Sequence, residues 1–189
     1  MSKINEAIEQ MSIEEMKQRL ASYMAADKEW APKPMAIEVR HRDIKDISGT
    51  NIYDVIVLMD DDTEEVIHFE DRYSKLIYIY TLMHPKGYQR RSLNKPEKDF
   101  SELACLYRAV FMADPDRLIA YAAKDFDHMM SMAVSFIRKV LKKMIGCEAL
   151  TIGNSRHYNG RTVIPAVHDG LEVIIDSQLQ SQHIVFRLC

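Results

Sequence analysis

A cluster of cationic and hydroxyl side chains in the second half of the chain is the feature best suited to contact with a ligand. Between residues 128 and 163 the chain has six Lys or Arg residues, opposed only by Glu148. The spacing of residues 130–145 (MSMAVSFIRKVLKKMI) puts an apolar stripe on one side of a helix and polar residues on the other. An excess of positive charge on one face favours contact with a polyanion. The polar side consists of Ser131, Ser135, Arg138, Lys139, Lys142 and Lys143.

The net charge of -3 combines two parts of the chain with opposite sign. Residues 1–71 have 8 Lys or Arg against 17 Asp or Glu, a balance of -9, whereas residues 72–189 have 17 against 11, a balance of +6. The basic part also includes Arg90 and Arg91 in one predicted turn and Arg156 and Arg161 in another. An alternative explanation is structural, because cations near the end of a helix suit its dipole and its solvated face. The net value alone therefore does not argue against a polyanionic partner.

The sequence contains none of the common short motifs for covalent catalysis or metal binding. The chain lacks a G-x-S-x-G turn, a P-loop, a G-x-G-x-x-G loop and an H-E-x-x-H helix. Cys105 falls on the apolar face of a predicted helix, and the position of Cys147 after the basic helix favours a lowered thiol pKa, but no base accompanies it. We predict a protein that is not an enzyme and has no catalytic residue, metal ion or cofactor. The histidines are scattered, with no metal-ligand spacing to the cysteines: His41, His68, His84, His128, His157, His168 and His183.

The composition indicates one or two small globular domains. Of the 189 residues, 47% are hydrophobic and 28% charged, and no apolar run approaches the roughly 20 residues of a membrane helix. The first ten residues (MSKINEAIEQ) lack the apolar core of a secretory signal, and three dispersed cysteines cannot form a paired disulfide framework. We therefore expect a cytoplasmic protein with no membrane partner.

The first third of the chain predicts helices followed by a small antiparallel sheet. Residues 4–24 have helical periodicity, and the proline-containing connector 28–34 separates them from the rest. This predicts an N-terminal helical segment and linker over 1–34 and an α+β domain over 35–189. Strands are expected at 35–40, 51–59 and 65–69. The tract Asp60-Asp61-Asp62 favours a polar hairpin turn over a cation site, because it lacks the spaced ligands and the turn glycine of a calcium loop.

Three helices and two C-terminal hairpins are expected to follow. Helical periodicity predicts one helix from 71 to 83 that Asp71 caps, a second from about 100 to 112, and a third from about 116 that bends around 124–127 before the basic stretch. The pairs Asn159-Gly160 and Asp169-Gly170 favour tight hairpin turns. The strands that these turns would join, together with a last strand, are residues 150–154, 161–167, 171–175 and 183–188.

The order of these elements resembles the winged-helix output domain of bacterial response regulators. Residues 66–93 (VIHFEDRYSKLIYIYTLMHPKGYQRRSL) are similar to that family's strand, first helix and following turn. Residues 134–146 (VSFIRKVLKKMIG) are similar to its third helix, and residues 150–164 (LTIGNSRHYNGRTVI) to its wing. The chain departs from the family in a longer segment over 113–128, in a hairpin without the usual glycine-tyrosine ending, and in having no receiver domain before the module.

The resemblance implies a transcriptional regulator that binds double-stranded DNA without catalysis. In such a domain the third helix enters the major groove, and cations on the helix and wing neutralise phosphates. Ser131, Ser135 and Arg138 would then face base edges, and the acidic first part of the chain would face away from DNA. The residues implied to position the DNA backbone are Lys139, Lys142, Lys143, Arg156, Arg161, Arg90 and Arg91.

Two other functions remain open at the level of sequence. One is a protein-interaction or assembly module, with a homodimer surface formed by the N-terminal helices and the last two strands. The other is an enzyme of unfamiliar type, which a deep pocket lined by several histidines and aspartates would favour. The position of the helix over 130–145 distinguishes DNA binding from an assembly module, because DNA binding requires this helix to be exposed along one side.

Overall fold

The computed structural model describes residues 32–42, 52–93, 98–144, 147–153 and 155–181, together with Glu15, Lys17 and Gln18, which are helical. The chain divides into a unit Met1–Pro32 and a unit Lys33–Cys189, a boundary two residues before the predicted one. The remainder of the predicted helices over 4–24 and the predicted strand over 183–188 lie outside the described residues.

The second unit alternates short strands with helices. It also contains two 3-10 helices, Glu148–Leu150 and Ser155–Tyr158. In chain order the other elements are β1 (Pro34–His41), β2 (Tyr53–Met59), β3 (Glu64–Val66), α1 (Arg72–Leu82), β4 (Tyr88–Gln89), α2 (Arg90–Leu93), α3 (Lys98–Phe111), α4 (Asp116–Leu141), β5 (Arg161–Thr162), α5 (Pro165–His168) and β6 (Glu172–Ile175).

A four-stranded mixed sheet and a two-stranded sheet confirm the α+β class. The larger sheet has the order β3-β2-β1-β6, in which β1, β2 and β3 form the predicted antiparallel meander. Alternation along the strands places Ile37 opposite Val57 and Val39 opposite Val55, and all four side chains are fully buried. The turn between β2 and β3 is polar, and the Oδ1 atom of Asp61 accepts hydrogen bonds from the backbone and hydroxyl of Thr63.

Helix α1 forms the centre of the helical layer and packs against α3 and α4. It begins at the predicted cap: Oδ1 of Asp71 accepts a hydrogen bond of 2.8 Å from the backbone nitrogen of Ser74. Its middle is buried on every side, because the sheet and the other helices surround it. Helix α1 is therefore fixed in position relative to both the sheet and α4.

Helix α4 contains the predicted bend. Asp125 has φ -160° and ψ 85°, an extended conformation inside an otherwise helical segment. Its carboxylate accepts a hydrogen bond of 2.9 Å from the backbone nitrogen of His128, which caps the second half of the helix. The basic stretch therefore forms a helical segment with its own beginning, as its sequence predicts.

The two predicted C-terminal hairpins are wrong. Asn159 and Gly160 do form a turn with φ of 54° and 78°, but β5, which follows the turn, pairs antiparallel with β4. Residues 150–153 form no strand, and a backbone hydrogen bond of 2.8 Å from Gly153 to the carbonyl of Val163 joins them to the segment after the turn. Pro165 then starts α5, because proline suits the first turn of a helix. Strand β6 joins the large sheet parallel to β1. Strands β5 and β6 thus each pair with a partner distant in sequence.

Candidate nucleic-acid interface

The second half of α4 has one buried face and one exposed face, which confirms the predicted amphipathic pattern. Met130, Ala133, Ile137 and Leu141 are each at most 2% exposed and belong to the hydrophobic core. The predicted polar residues are all exposed, but the helix ends at Leu141 rather than at the predicted residue 145. Four of these residues lie on the opposite side of the helix and the last two follow its end: Ser131, Ser135, Arg138 and Lys139, then Lys142 and Lys143.

A cleft of about 710 Å³ runs beside this exposed face. Its opposite wall consists of Ile152, Gly153 and Thr162, which lie between the first 3-10 helix and the end of β5. Six of the ten residues that the sequence implicated in DNA binding line the same cleft: Arg90, Ser131, Ser135, Arg138, Lys139 and Lys142.

Two guanidinium groups are held on the cleft walls by hydrogen bonds. Nη2 of Arg90 donates to Oγ of Ser131 at 3.1 Å and to the backbone carbonyl of Asp127. Nε of Arg90 lies 3.2 Å from Oδ1 of Asp127, an ion pair in which this nitrogen makes no hydrogen bond within the described residues. Nη2 of Arg138 donates to the carbonyl of Ile152 at 3.3 Å. The arginines therefore bridge α4 to the neighbouring segments and keep their charge at the cleft.

Among the described residues of the acidic part of the chain, Glu70 pairs with a cation of this surface. Nζ of Lys139 lies 3.1 Å from Oε1 of Glu70, and both side chains are about half exposed. The expectation that residues 1–71 face away from the basic surface is wrong at Glu70, because the chain segment before α1 passes beside α4. An exposed ion pair of this kind contributes only about 0–1 kcal/mol to stability.

Four implicated cations lie outside the cleft lining. Arg91 and Lys143 are exposed and each follows a cleft residue directly in sequence. Arg156 and Arg161 belong to the segment that was predicted to form a wing. That wing is replaced by the second 3-10 helix and β5, and Nη1 of Arg161 donates to the carbonyl of Lys86 at 3.0 Å. The predicted hairpin wing is therefore wrong, although Ile152, Gly153 and Thr162 of the same segment line the cleft.

Sequence reasoning missed the two carboxylates that pair with the cleft cations. Asp127 lies four residues before Ser131, so both side chains share one helix face, and this spacing was a usable signal. Glu70 has no such signal, because 69 residues separate it from Lys139.

Cys147 does not have the lowered pKa that its position suggested. The thiol is fully buried, and burial, with smaller effects of Glu65 and Glu148, raises its pKa to about 11. Among the described residues, no group of three or more His, Cys, Asp or Glu side chains is placed to hold a metal ion.

Comparisons with known proteins do not indicate a function for this chain. No family model, curated protein or solved structure matches the chain. In the part of the chain that the structure describes, no helix has the length and apolar character needed to cross a membrane.

Proposed function

We propose that this chain binds double-stranded DNA without catalysis, through the exposed face of α4, and acts in the cytoplasm as a transcriptional regulator whose helical core is of winged-helix type, with the second 3-10 helix and β5 in place of the wing. The observation that carries this proposal is the convergence of Arg90, Arg138, Lys139 and Lys142 on one cleft beside an exposed helix. DNA binding requires this helix to be exposed along one side, and it is so exposed.

The geometry suits a DNA strand. From Ser131 to Lys142 the exposed face is about 16 Å long at 1.5 Å per residue, which matches the length of about five base pairs at 3.4 Å each. Ser131, Ser135 and Arg138 would contact base edges, while Lys139 and Lys142 would contact phosphates.

The carboxylates at the cleft do not cancel its attraction for phosphate. Four cations line the cleft, and two of them pair with Glu70 and Asp127, side chains that are 45% and 80% exposed. Because exposed pairs contribute little, a phosphate can replace Glu70 beside Lys139 at low cost. Lys142 and Lys143 have no acidic partner among residues 32–181 where these are described.

The pairing of β4 with β5 supports the site by carrying Arg90 to it. Gln89 pairs with Arg161, and Arg90 follows directly as the first residue of α2. Gly87 has φ +73°, and a Cβ atom there would lie 2.9 Å from the carbonyl oxygen of Thr162. Glycine is therefore required for the close approach that positions Arg90.

Titration of a fluorescent 30-base-pair duplex at several salt concentrations tests the proposal. Counterion release predicts that the logarithm of the association constant falls linearly with the logarithm of salt, by about 0.9 for each phosphate contact. Lys139→Ala, Lys142→Ala and Lys143→Ala together should weaken binding to every sequence alike and reduce the slope, whereas Ser135→Ala should alter sequence preference.

A matched control separates a local effect from net charge. Lys142→Ala with Lys143→Ala removes two positive charges from the proposed surface, and Arg117→Ala with Lys124→Ala removes two from the first half of α4, where both are exposed. The first pair should lower affinity at least about tenfold more than the second at 50 mM salt. The proposal fails when the duplex does not bind at low salt; a concentration-dependent oligomer in light scattering would then favour the assembly module.

A further inference from the structure

A second cavity, of about 310 Å³, lies between the N-terminal end of α1, β2 and residues 67–72. Lys75 lines this cavity although it is only 5% exposed. Its ammonium group donates a hydrogen bond to the backbone carbonyl of Tyr53. A lysine in this position is unusual, because charged side chains are rarely buried to this extent.

The environment of the Lys75 amine favours its neutral form. Burial lowers its pKa to about 8, Asp54 opposes this shift and Arg42 adds to it. Near neutral pH a lysine with this pKa has on the order of a hundredfold more free amine than an ordinary lysine. The free amine has a lone pair, and lysines of this kind act as nucleophiles toward carbonyl carbons.

Two arginines on the same cavity supply fixed positive charge. Nε of Arg42 donates to Oδ2 of Asp54 at 2.6 Å, and the guanidinium of Arg72 lies 5.7 Å from the centroid of the Phe111 ring. Planar guanidinium groups bind carboxylates with high geometric specificity.

The carboxylates of this cavity have cations or donors of their own. Asp54 pairs with Arg42, Glu70 with Lys139, and Asp71 accepts from the backbone of Ser74. Because a cation or a hydrogen-bond donor already stabilises each of these charges, they oppose an added carboxylate less than free acids would. Ile67, Phe69 and Phe111 provide the apolar part of the wall.

We propose that this cavity binds small carbonyl compounds that have a carboxylate, such as 2-oxo acids, and that Lys75 forms an imine with them. Nζ attacks the carbonyl carbon to form a carbon–nitrogen bond, and the carbonyl oxygen leaves as water with two hydrogens taken from the amine. No oxidant or reductant takes part. The imine nitrogen then takes up one proton from water, and the resulting N–H group can donate to the carbonyl of Tyr53, while a guanidinium of Arg42 or Arg72 holds the carboxylate.

Reductive trapping of the intact chain tests this site independently of DNA binding. The protein is incubated at pH 7.5 with glyoxylate and sodium cyanoborohydride, and the modified lysines are identified and timed by peptide mass spectrometry. Propionaldehyde, an uncharged aldehyde of similar size, is the control probe. Glyoxylate should modify Lys75 at least about tenfold faster than exposed Lys142. The larger fraction of unprotonated amine at Lys75 should raise the rate more than its burial lowers it. Propionaldehyde should show a smaller preference for Lys75.

A variant identifies the group that holds the carboxylate. Arg72→Leu should slow modification of Lys75 by glyoxylate at least threefold and leave its modification by propionaldehyde unchanged. Modification of Lys75 no faster than of Lys142, or equal rates with both aldehydes, would overturn the proposal. The comparison in the unsubstituted protein decides this even if the variant fails to fold.

Discussion

Nζ of Lys139 and the carboxylate of Glu70 form an ion pair, with distances of 3.1 and 3.2 Å to the two oxygens, between the basic face of α4 and the segment that precedes α1. The pair occupies the surface that we propose for DNA. A phosphate that approaches Lys139 must therefore displace Glu70, so this carboxylate limits the affinity of the site.

Glu70→Gln should strengthen duplex binding. The substitution removes one negative charge from the surface and leaves Lys139 to pair with a phosphate, so we expect affinity at 50 mM salt to rise roughly two- to fivefold, with a smaller gain at 200 mM because salt screens the charge. Fluorescence anisotropy with a labelled duplex measures the effect.

Glu172→Gln is the matched control for this change. Glu172 is exposed on β6, and its substitution alters net charge by the same amount away from α4. Equal gains in affinity from both substitutions would contradict a specific role of Glu70. The free energy of unfolding should change by less than about 1 kcal/mol in either variant, because both carboxylates are exposed.

Gly87→Ala should destabilise the two-stranded sheet. Gly87 has φ +73°, and an added Cβ would lie 2.4 Å from Cγ1 of Val163 and 2.9 Å from the carbonyl oxygen of Thr162. Both the backbone conformation and the contact with backbone oppose alanine, so we expect a loss of at least about 2 kcal/mol in the free energy of unfolding, measured in urea.

Gly160→Ala separates these two causes. Gly160 has a similar φ of +78°, but nothing lies within 4 Å of an added Cβ. Its substitution should cost roughly 1 kcal/mol for the backbone conformation alone. Losses of the same size at both positions would show that close approach to β5 does not constrain residue 87.

The sequence predicted local structure correctly and long-range pairing incorrectly. The cap at Asp71, the bend at Asp125 and the meander β1–β2–β3 depend on neighbouring residues, and each was predicted. The turn at Asn159 and Gly160 also formed as its residue types require. Its strand then paired with a segment more than seventy residues away, a choice that turn chemistry cannot determine.

The same distinction applies to the candidate interface. One helical period placed Ser131, Ser135 and Arg138 on a shared face, so sequence was sufficient for that part. Arg90 reaches the cleft through the β4–β5 pair, and Glu70 reaches it because the chain enters α1 beside α4. Both depend on tertiary packing, which is why neither the cleft nor Glu70 followed from the spacing of residues.

The contribution of Lys75 to stability should depend on pH. In the unfolded chain this lysine loses its proton near pH 10.4, and in the folded protein its pKa is lowered to about 8. Between these values the unfolded state binds more protons, so the free energy of unfolding rises with pH. The cost of burying the charged amine is therefore fully present below pH 8 and disappears toward pH 10.

Urea unfolding of the native chain and of Lys75→Met from pH 6 to pH 10 measures this effect. The stability of the native chain relative to the variant should be constant up to about pH 7.5 and then rise by roughly 1 kcal/mol for each pH unit. Cys147 and Tyr88, whose pKa values burial raises to about 11 and 12, are present in both proteins, so the subtraction removes their effects. A difference that does not vary from pH 6 to pH 10 would contradict a neutral amine at high pH.

Site-specific photocrosslinking tests the proposed DNA-binding face most directly. A photoreactive amino acid is placed at position 135, on the exposed side of α4, or at position 35, where Met35 is 61% exposed on β1. Each protein is irradiated with a labelled duplex at 50 mM salt. We expect covalent protein–DNA product from position 135, lost at high salt, and little or none from position 35. No product from position 135, or equal product from both, would contradict it.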